Sequence, residues 1–93
     1  MFKKGGKMEN LEINVHKIYD LENAGSVKAL VDIAVNDSFV IKGFKIIDGK
    51  NGLFVGLPQR LGKNGTWYNN LEVLSSELKE RISNVVLQAY ETR

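Results

Sequence analysis

Basic side chains are the residues whose types and spacing suggest chemistry in this 93-residue chain. Between residues 39 and 63, five basic residues stand against one acidic residue, so this segment has a net charge of +4. The five, called the basic cluster below, are Lys42, Lys45, Lys50, Arg60 and Lys63. Lysine and arginine neutralise phosphates without reading bases, so the basic cluster predicts contacts with a nucleic-acid backbone. The alternative is an ordinary solvated face on which lysines protect strand edges.

The charge of the remaining chain does not reinforce the basic cluster. Residues 10–38 carry a net charge of −3 and residues 64–93 a net charge of −1, so the body of the chain from residue 10 onward is neutral. Proteins that bind nucleic acids tightly are usually strongly basic over a whole face. The charge pattern therefore predicts binding that is weak and sensitive to salt.

Two adjacent aromatic residues, Trp67 and Tyr68, follow the basic cluster in a polar stretch. An exposed aromatic ring beside basic residues can stack on an unpaired base. The alternative is packing against a helix or against a second copy of the chain. We favour packing for Trp67. Tyr68 is the next residue, so in an extended strand its side chain points to the opposite side, and we favour stacking for Tyr68.

Residues typical of catalysis are not grouped in this sequence. Asp32, Asp37 and Asp48 form no pair of nucleophile and base. His16 is the single histidine and there is no cysteine, so no zinc ligand set is present and His16 is expected on a strand surface. We therefore expect no enzyme activity, metal or cofactor. Because no apolar run reaches the ~18 residues of a membrane span and no secretory signal precedes the body, we expect a cytoplasmic protein without a membrane partner.

Alternating apolar residues predict the first three strands. Residues 11–16 alternate, and from Val27 to Val35 every odd position is apolar. A turn at residues 36–38 leads into a third strand that begins at Phe39. The apolar parity of this strand changes across Gly43, which predicts a one-residue bulge there.

A glycine-rich turn at residues 48–52 joins the third strand to a fourth, residues 53–57, which Pro58 ends. The polar residues from Pro58 to Asn70 predict a long loop. A serine cap then opens a helix, and Glu77 and Glu80 in its first turn favour the helix dipole. Its apolar stripe consists of Leu78, Ile82, Val85 and Ala89, widened by Val86.

These elements predict an α+β fold, with an antiparallel sheet of four or five strands followed by one C-terminal amphipathic helix packed on it. The glycines and lysines of residues 1–9 predict a disordered extension, and residues 10–93 a single domain.

The segment from Phe39 to Pro58, FVIKGFKIIDGKNGLFVGLP, closely resembles the central block of the SpoVG (stage V sporulation protein G) family. The family's F-V pair, I-D-G turn, N-G-L-F-V run and terminal proline recur there in register. The resemblance covers residues 11–90, with Gly65 and Trp67 at the family's glycine-x-aromatic position. It implies a small α+β bacterial regulator of septation, sporulation or gene expression. It also implies a homodimer formed through the sheet that binds DNA and, in some members, RNA.

The chain departs from the family pattern where basic character matters. Leu61 replaces the second of two basic residues after the proline, Asn69 replaces an aspartate, and Glu72-Val73 replaces a His-Pro pair. The leading hypothesis is a non-enzymatic regulator that binds nucleic acid weakly through the basic cluster and Tyr68. The alternative is a protein-interaction module that docks a regulatory partner through a sheet edge, an interpretation that the neutral body favours.

Overall fold

The main sheet is a four-stranded antiparallel meander in which neighbouring strands follow one another in sequence. The computed structural model describes residues 11–93; the predicted extension at residues 1–9 lies outside them. The strands are β1 Ile13–Asp20, β2 Val27–Val35, β3 Phe39–Gly49 and β4 Gly52–Gly56. Short connections allow only antiparallel pairing, and the sheet followed by a helix confirms the predicted α+β class.

Strand β1 ends at Asp20, four residues beyond its predicted end, and it contains a bulge at that predicted end. Val15 pairs with Ile33 but Lys17 pairs with Asp32, so His16 is the extra residue. The bulge reverses the side-chain parity and returns Ile18 to the core. The alternation of apolar and polar residues is interrupted at His16, so the sequence pattern predicted only the first half of β1. His16 is exposed, as predicted.

The turn from β2 to β3 uses two residues in the left-handed region. Asn36 and Asp37 both have φ of 52°, and the backbone N–H of Ser38 donates to the carbonyl of Val35 at 2.9 Å. Asparagine and aspartate tolerate this conformation better than other residues with a side chain. The predicted turn is confirmed.

The predicted bulge at Gly43 is also confirmed. Ile33 pairs with Ile41 and Val31 with Phe44, so β3 has one residue more than β2 between these pairs. Gly43 has φ of +99°, and a Cβ there would lie 3.5 Å from the Cβ of the buried Pro58. The bulge therefore lies against the place where the chain leaves β4.

The predicted loop from Pro58 to Asn70 is wrong, because this stretch forms a second, two-stranded sheet. Its strands β5 Gln59–Leu61 and β6 Trp67–Asn69 pair antiparallel and are called the small sheet below. Backbone hydrogen bonds close both ends, from Gly62 N to Thr66 O and from Asn70 N to Pro58 O, each at 2.8 Å. Strands of three exposed residues carry no buried face, so no apolar alternation revealed them.

Helix α1, Ser76–Glu91, packs across the main sheet and contacts β1 and β4. The Oγ of Ser75 accepts the backbone N–H of Leu78 at 3.1 Å, which confirms the serine cap. Only Glu77 lies in the first turn. Glu80, which was predicted there as well, lies in the second turn. Ile82 and Val86 are the buried centre of the predicted stripe. No helix within residues 11–93 has the length and apolar character to span a membrane.

The core lies between α1 and one face of the main sheet, and β2 supplies its centre. The buried apolar residues are Ile13, Ala29, Val31, Ile33, Val35, Phe44, Ile46, Ile82 and Val86. The opposite side of the sheet, called the outer face below, is not covered by α1. Asp32 lies on the outer face but is only 4% exposed, and its Oδ2 accepts from the Tyr19 hydroxyl at 3.4 Å.

Candidate nucleic-acid interface

Strand β3 places Lys45 on the outer face of the main sheet. Lys45 is half-buried between its cross-strand neighbours, Leu30 on β2 and Gly56 on β4. Alternation along β3 directs its side chain away from the core residues Phe44 and Ile46. The methylene stem of a lysine can lie along a sheet while the ammonium group reaches outward.

The ammonium group of Lys45 links the main sheet to the small sheet. Its Nζ lies 5.0 Å from the centroid of the Trp67 ring, which is within the range of a cation–π interaction. Trp67 is 55% exposed, and its cross-strand partner Leu61 is 57% exposed. The interpretation favoured from the sequence, packing of Trp67 against the helix or a second copy of the chain, leaves more than half of this side chain to be covered by a second copy, because it is 55% exposed within residues 11–93.

Arg60 and Tyr68 are cross-strand partners on the opposite side of the small sheet. The Arg60 guanidinium carbon lies 5.4 Å from the Tyr68 ring centroid. One guanidinium nitrogen of Arg60 also donates to Oδ1 of Asn70 at 2.7 Å. These contacts fix the direction of the arginine, so its charge is presented from a defined position rather than from a free side chain.

The ring of Tyr68 is held by the hairpin that carries it. Its hydroxyl accepts from Nδ2 of Asn64 at 3.0 Å. A Cβ on Gly62 would lie only 2.5 Å from the ring, so the absence of a side chain at Gly62 lets the ring lie against the backbone. Tyr68 is 40% exposed, and less of its ring is free for a ligand than of Trp67.

The structure gathers part of the basic cluster around the small sheet. Lys42 is exposed beside the bulge that meets Pro58, and Lys63 is exposed in the loop between β5 and β6. Lys50, by contrast, lies in the turn at the other end of the β3–β4 hairpin. Five residues of extended chain, about 16 Å, separate Lys45 from Lys50. Lys50 is thus the member of the cluster that lies apart.

None of the five residues of the basic cluster forms a salt bridge with an acidic group within residues 11–93. By comparison, Arg93 at the end of the chain is paired with Asp20. The hydrogen bond from the Arg93 guanidinium to that carboxylate raises the pKa of Arg93 above its ordinary value. The charges around the small sheet have no such carboxylate partner within residues 11–93.

A family comparison decides the relationship of this chain to known proteins. The SpoVG family model matches residues 8–92. This chain belongs to the SpoVG family. Similar proteins from several organisms carry the name "Putative septation protein SpoVG", among them the following two. The protein of Desulforudis audaxviator is 37% identical over 92% of this chain and 94% of its own length. That of Archaeoglobus fulgidus is 36% identical over 86% of this chain and 94% of its own length.

Two features of this SpoVG-family site were not predicted from the sequence. One is the exposure of Trp67, and the other is the role of Asn70 in orienting Arg60. A usable signal was present, because Gly62 and Gly65 bracket a short turn between Arg60 and Tyr68 and are typical of a hairpin. Within the part of the chain that the structure describes, His, Asp and Glu side chains form no group of three able to hold a metal ion.

Proposed function

We propose that this SpoVG-family protein is a non-enzymatic regulator of septation or sporulation that binds DNA or RNA as a homodimer. The names of its relatives support the cellular role. The observation that carries the binding proposal is the group of basic residues around the small sheet that form no salt bridge within residues 11–93, with the Lys45 ammonium at an exposed tryptophan. Basic side chains interleaved with aromatic rings are typical of surfaces that follow a nucleic-acid backbone.

The strength of this binding is limited by the charge of the whole molecule. The body from residue 10 onward is neutral, and Leu61 on the small sheet is apolar and exposed. A few phosphate contacts then supply most of the binding free energy, and each contact adds to the salt dependence. The affinity for DNA and RNA should therefore be modest at low salt and fall steeply as salt is added.

A binding titration with labelled DNA and RNA tests the proposal. Replacing Arg60 and Lys63 together by alanine removes two positive charges from β5 and the loop that follows it, and we expect the affinity to fall about tenfold or more. The matched control is Lys17→Ala/Lys79→Ala, which removes the same charge from exposed positions on β1 and α1. Binding that survives unchanged in the Arg60/Lys63 variant would remove the small sheet from the site. A wild-type protein that binds neither polymer at low salt would overturn the proposal.

A second candidate function is docking of an extended peptide from a regulatory partner on β4. This strand is an edge of the main sheet, so its outward backbone groups are unpaired within residues 11–93. Beside it a groove of about 500 Å³ opens between β4 and α1, with an apolar floor of Val55, Leu57 and Ile82. Protection of the β4 amides from hydrogen exchange by a partner, with no nucleic-acid binding at low salt, would favour this function.

A further inference from the structure

We propose that Trp67, together with Lys45, is the base-stacking element of the interface, and that its ligand is single-stranded rather than duplex nucleic acid. This inference rests on the proposed binding of nucleic acid and specifies the class of ligand. It assigns stacking to Trp67 and not to Tyr68, in contrast to the interpretation of the sequence.

The first step of the argument is the exposure of Trp67. The ring is 55% exposed although tryptophan has the largest apolar side chain, and folded domains usually bury most of it. Its neighbour across the small sheet, Leu61, is exposed to the same degree. Adjacent exposed apolar side chains with polar surroundings are typical of surfaces that another molecule covers, and the charge beside the ring indicates which kind of molecule.

The second step is the charge beside the ring. Lys45 holds its ammonium group 5.0 Å from the Trp67 centroid, and Lys42 is exposed three residues earlier on β3. A nucleotide combines a flat base with a negatively charged phosphate, and a ring next to a cation is complementary to both parts. A protein surface that recognised apolar side chains would not require the ammonium group at the ring.

The third step distinguishes single strands from duplexes. Within a duplex each base is stacked on both faces by its neighbours, so it has no face to offer to Trp67. An unpaired base can leave the stack and lie on an aromatic ring. Basic residues alone would bind both forms through phosphates, whereas a free tryptophan ring adds affinity only for the unpaired form.

Tyr68 is a poorer platform because its ring is already engaged. Asn64 donates to its hydroxyl, the backbone of Gly62 lies against its edge, and Tyr68 is 40% exposed where Trp67 is 55% exposed. We assign Tyr68 the task of orienting Arg60 toward phosphate. It is a positioning residue in this scheme.

The chain provides its own reporter for the test, because Trp67 is the single tryptophan. Wild-type protein is titrated at low salt with an oligothymidylate and with a duplex of equal length, while tryptophan fluorescence is recorded. A base stacked on the ring should quench the fluorescence strongly, and the duplex should quench it little. Affinities for fluorescently labelled versions of both ligands are measured in parallel by anisotropy.

Trp67→Leu is the decisive variant and Trp67→Phe its conservative counterpart. We expect Trp67→Leu to lower the affinity for oligothymidylate about tenfold, with the duplex affinity and the salt dependence unchanged. Trp67→Phe should retain most of the single-strand affinity. Phe39→Leu is the matched control, because Phe39 is 57% exposed at the distant start of β3, and it should change neither affinity. Circular dichroism of each variant confirms that it is folded.

Three results would overturn the inference and leave the proposed function standing. The first is an unchanged oligothymidylate affinity in Trp67→Leu, and the second is an equal loss of affinity for both ligands. A fall in oligomeric mass on Trp67→Leu, with no ligand-dependent quenching, would also overturn it by showing that a second copy covers the ring. Failure of the wild type to bind either ligand at low salt would instead overturn the proposed function itself.

Discussion

Lys45 combines several properties that are found on different residues elsewhere in the interface. Its stem is half-buried on the outer face of the main sheet, its ammonium group lies at Trp67, and no carboxylate within residues 11–93 pairs with it. Such a lysine loses less conformational freedom on binding a phosphate than a fully mobile surface lysine does. It should therefore contribute more to affinity than its single charge suggests.

Replacing Lys45 by methionine tests this contribution. Methionine keeps an unbranched apolar stem on the sheet and removes only the charge, so the fold should be retained. We expect weaker binding to every nucleic acid that the wild type binds, and a slope of log affinity against log salt that is shallower by about 0.7 to 0.9. The measurement is a salt titration of binding. Lys79→Met, on the exposed face of α1, should leave the slope unchanged, and an equal change in both variants would contradict the special position of Lys45.

At the scale of single residues, the sequence predicted which groups carry charge but not how they are oriented. The basic cluster was evident from composition along the chain, whereas the contact between Lys45 and Trp67 joins residues 22 positions apart on separate sheets. The same limit applies to Asn70, whose amide has no recognisable motif and acts only because β5 and β6 pair. Contacts of this kind depend on tertiary geometry that local patterns do not contain.

At the scale of secondary-structure elements, helix α1 depends on a serine cap that was predicted from the sequence. Ser75 accepts the N–H of Leu78, which would otherwise be one of the unsatisfied donors of the first turn. The helix in turn supplies Ile82 and Val86 to the core. Loss of the cap therefore weakens both the helix and its packing on the sheet.

Ser75→Ala should lower the free energy of unfolding by about 1 kcal/mol. Urea denaturation followed by far-ultraviolet circular dichroism measures the change. Ser76→Ala is the matched control, because the next serine is already inside the helix and caps nothing, so we expect a much smaller effect. Equal losses in the two variants would show that the cap does not stabilise α1 in the folded protein.

Elements with a buried face were predictable, and the elements without one were not. Strands β2 and β3 and helix α1 bury one side, so their apolar residues recur with the period of the structure. The small sheet buries none of its side chains and is held by backbone pairing and by polar contacts such as that from Gln59 to Asn69. Its existence could be inferred only from glycine spacing.

On the scale of the whole molecule, the exposed apolar side chains bear on oligomeric state. Phe54 on the edge strand β4 is 49% exposed, and Leu74, just before α1, is 93% exposed. A 93-residue chain also buries a modest core without a disulfide, so association is an effective way to remove apolar surface from water. These properties support the homodimer that we propose.

Light scattering at micromolar concentration tests the homodimer directly. The chain has a mass of 10.4 kDa, and we expect a measured mass of twice that value. The mass should be independent of added salt if apolar contacts and strand pairing dominate the interface, since only exposed charges are screened. A monomeric mass throughout would contradict association through the sheet, whereas binding of nucleic acid could still be measured on the monomer.

The sequential order of the strands in the main sheet has a consequence for biosynthesis. Each strand pairs with the one made just before it, so β1 to β4 can assemble as successive hairpins while the chain is still being translated. Helix α1 is made after all four strands, and its Arg81 side chain donates to the carbonyl of Leu11, just before β1. The nascent sheet therefore keeps one apolar face open until α1 emerges, and chains stopped before Ser76 should be targets for chaperones and proteases.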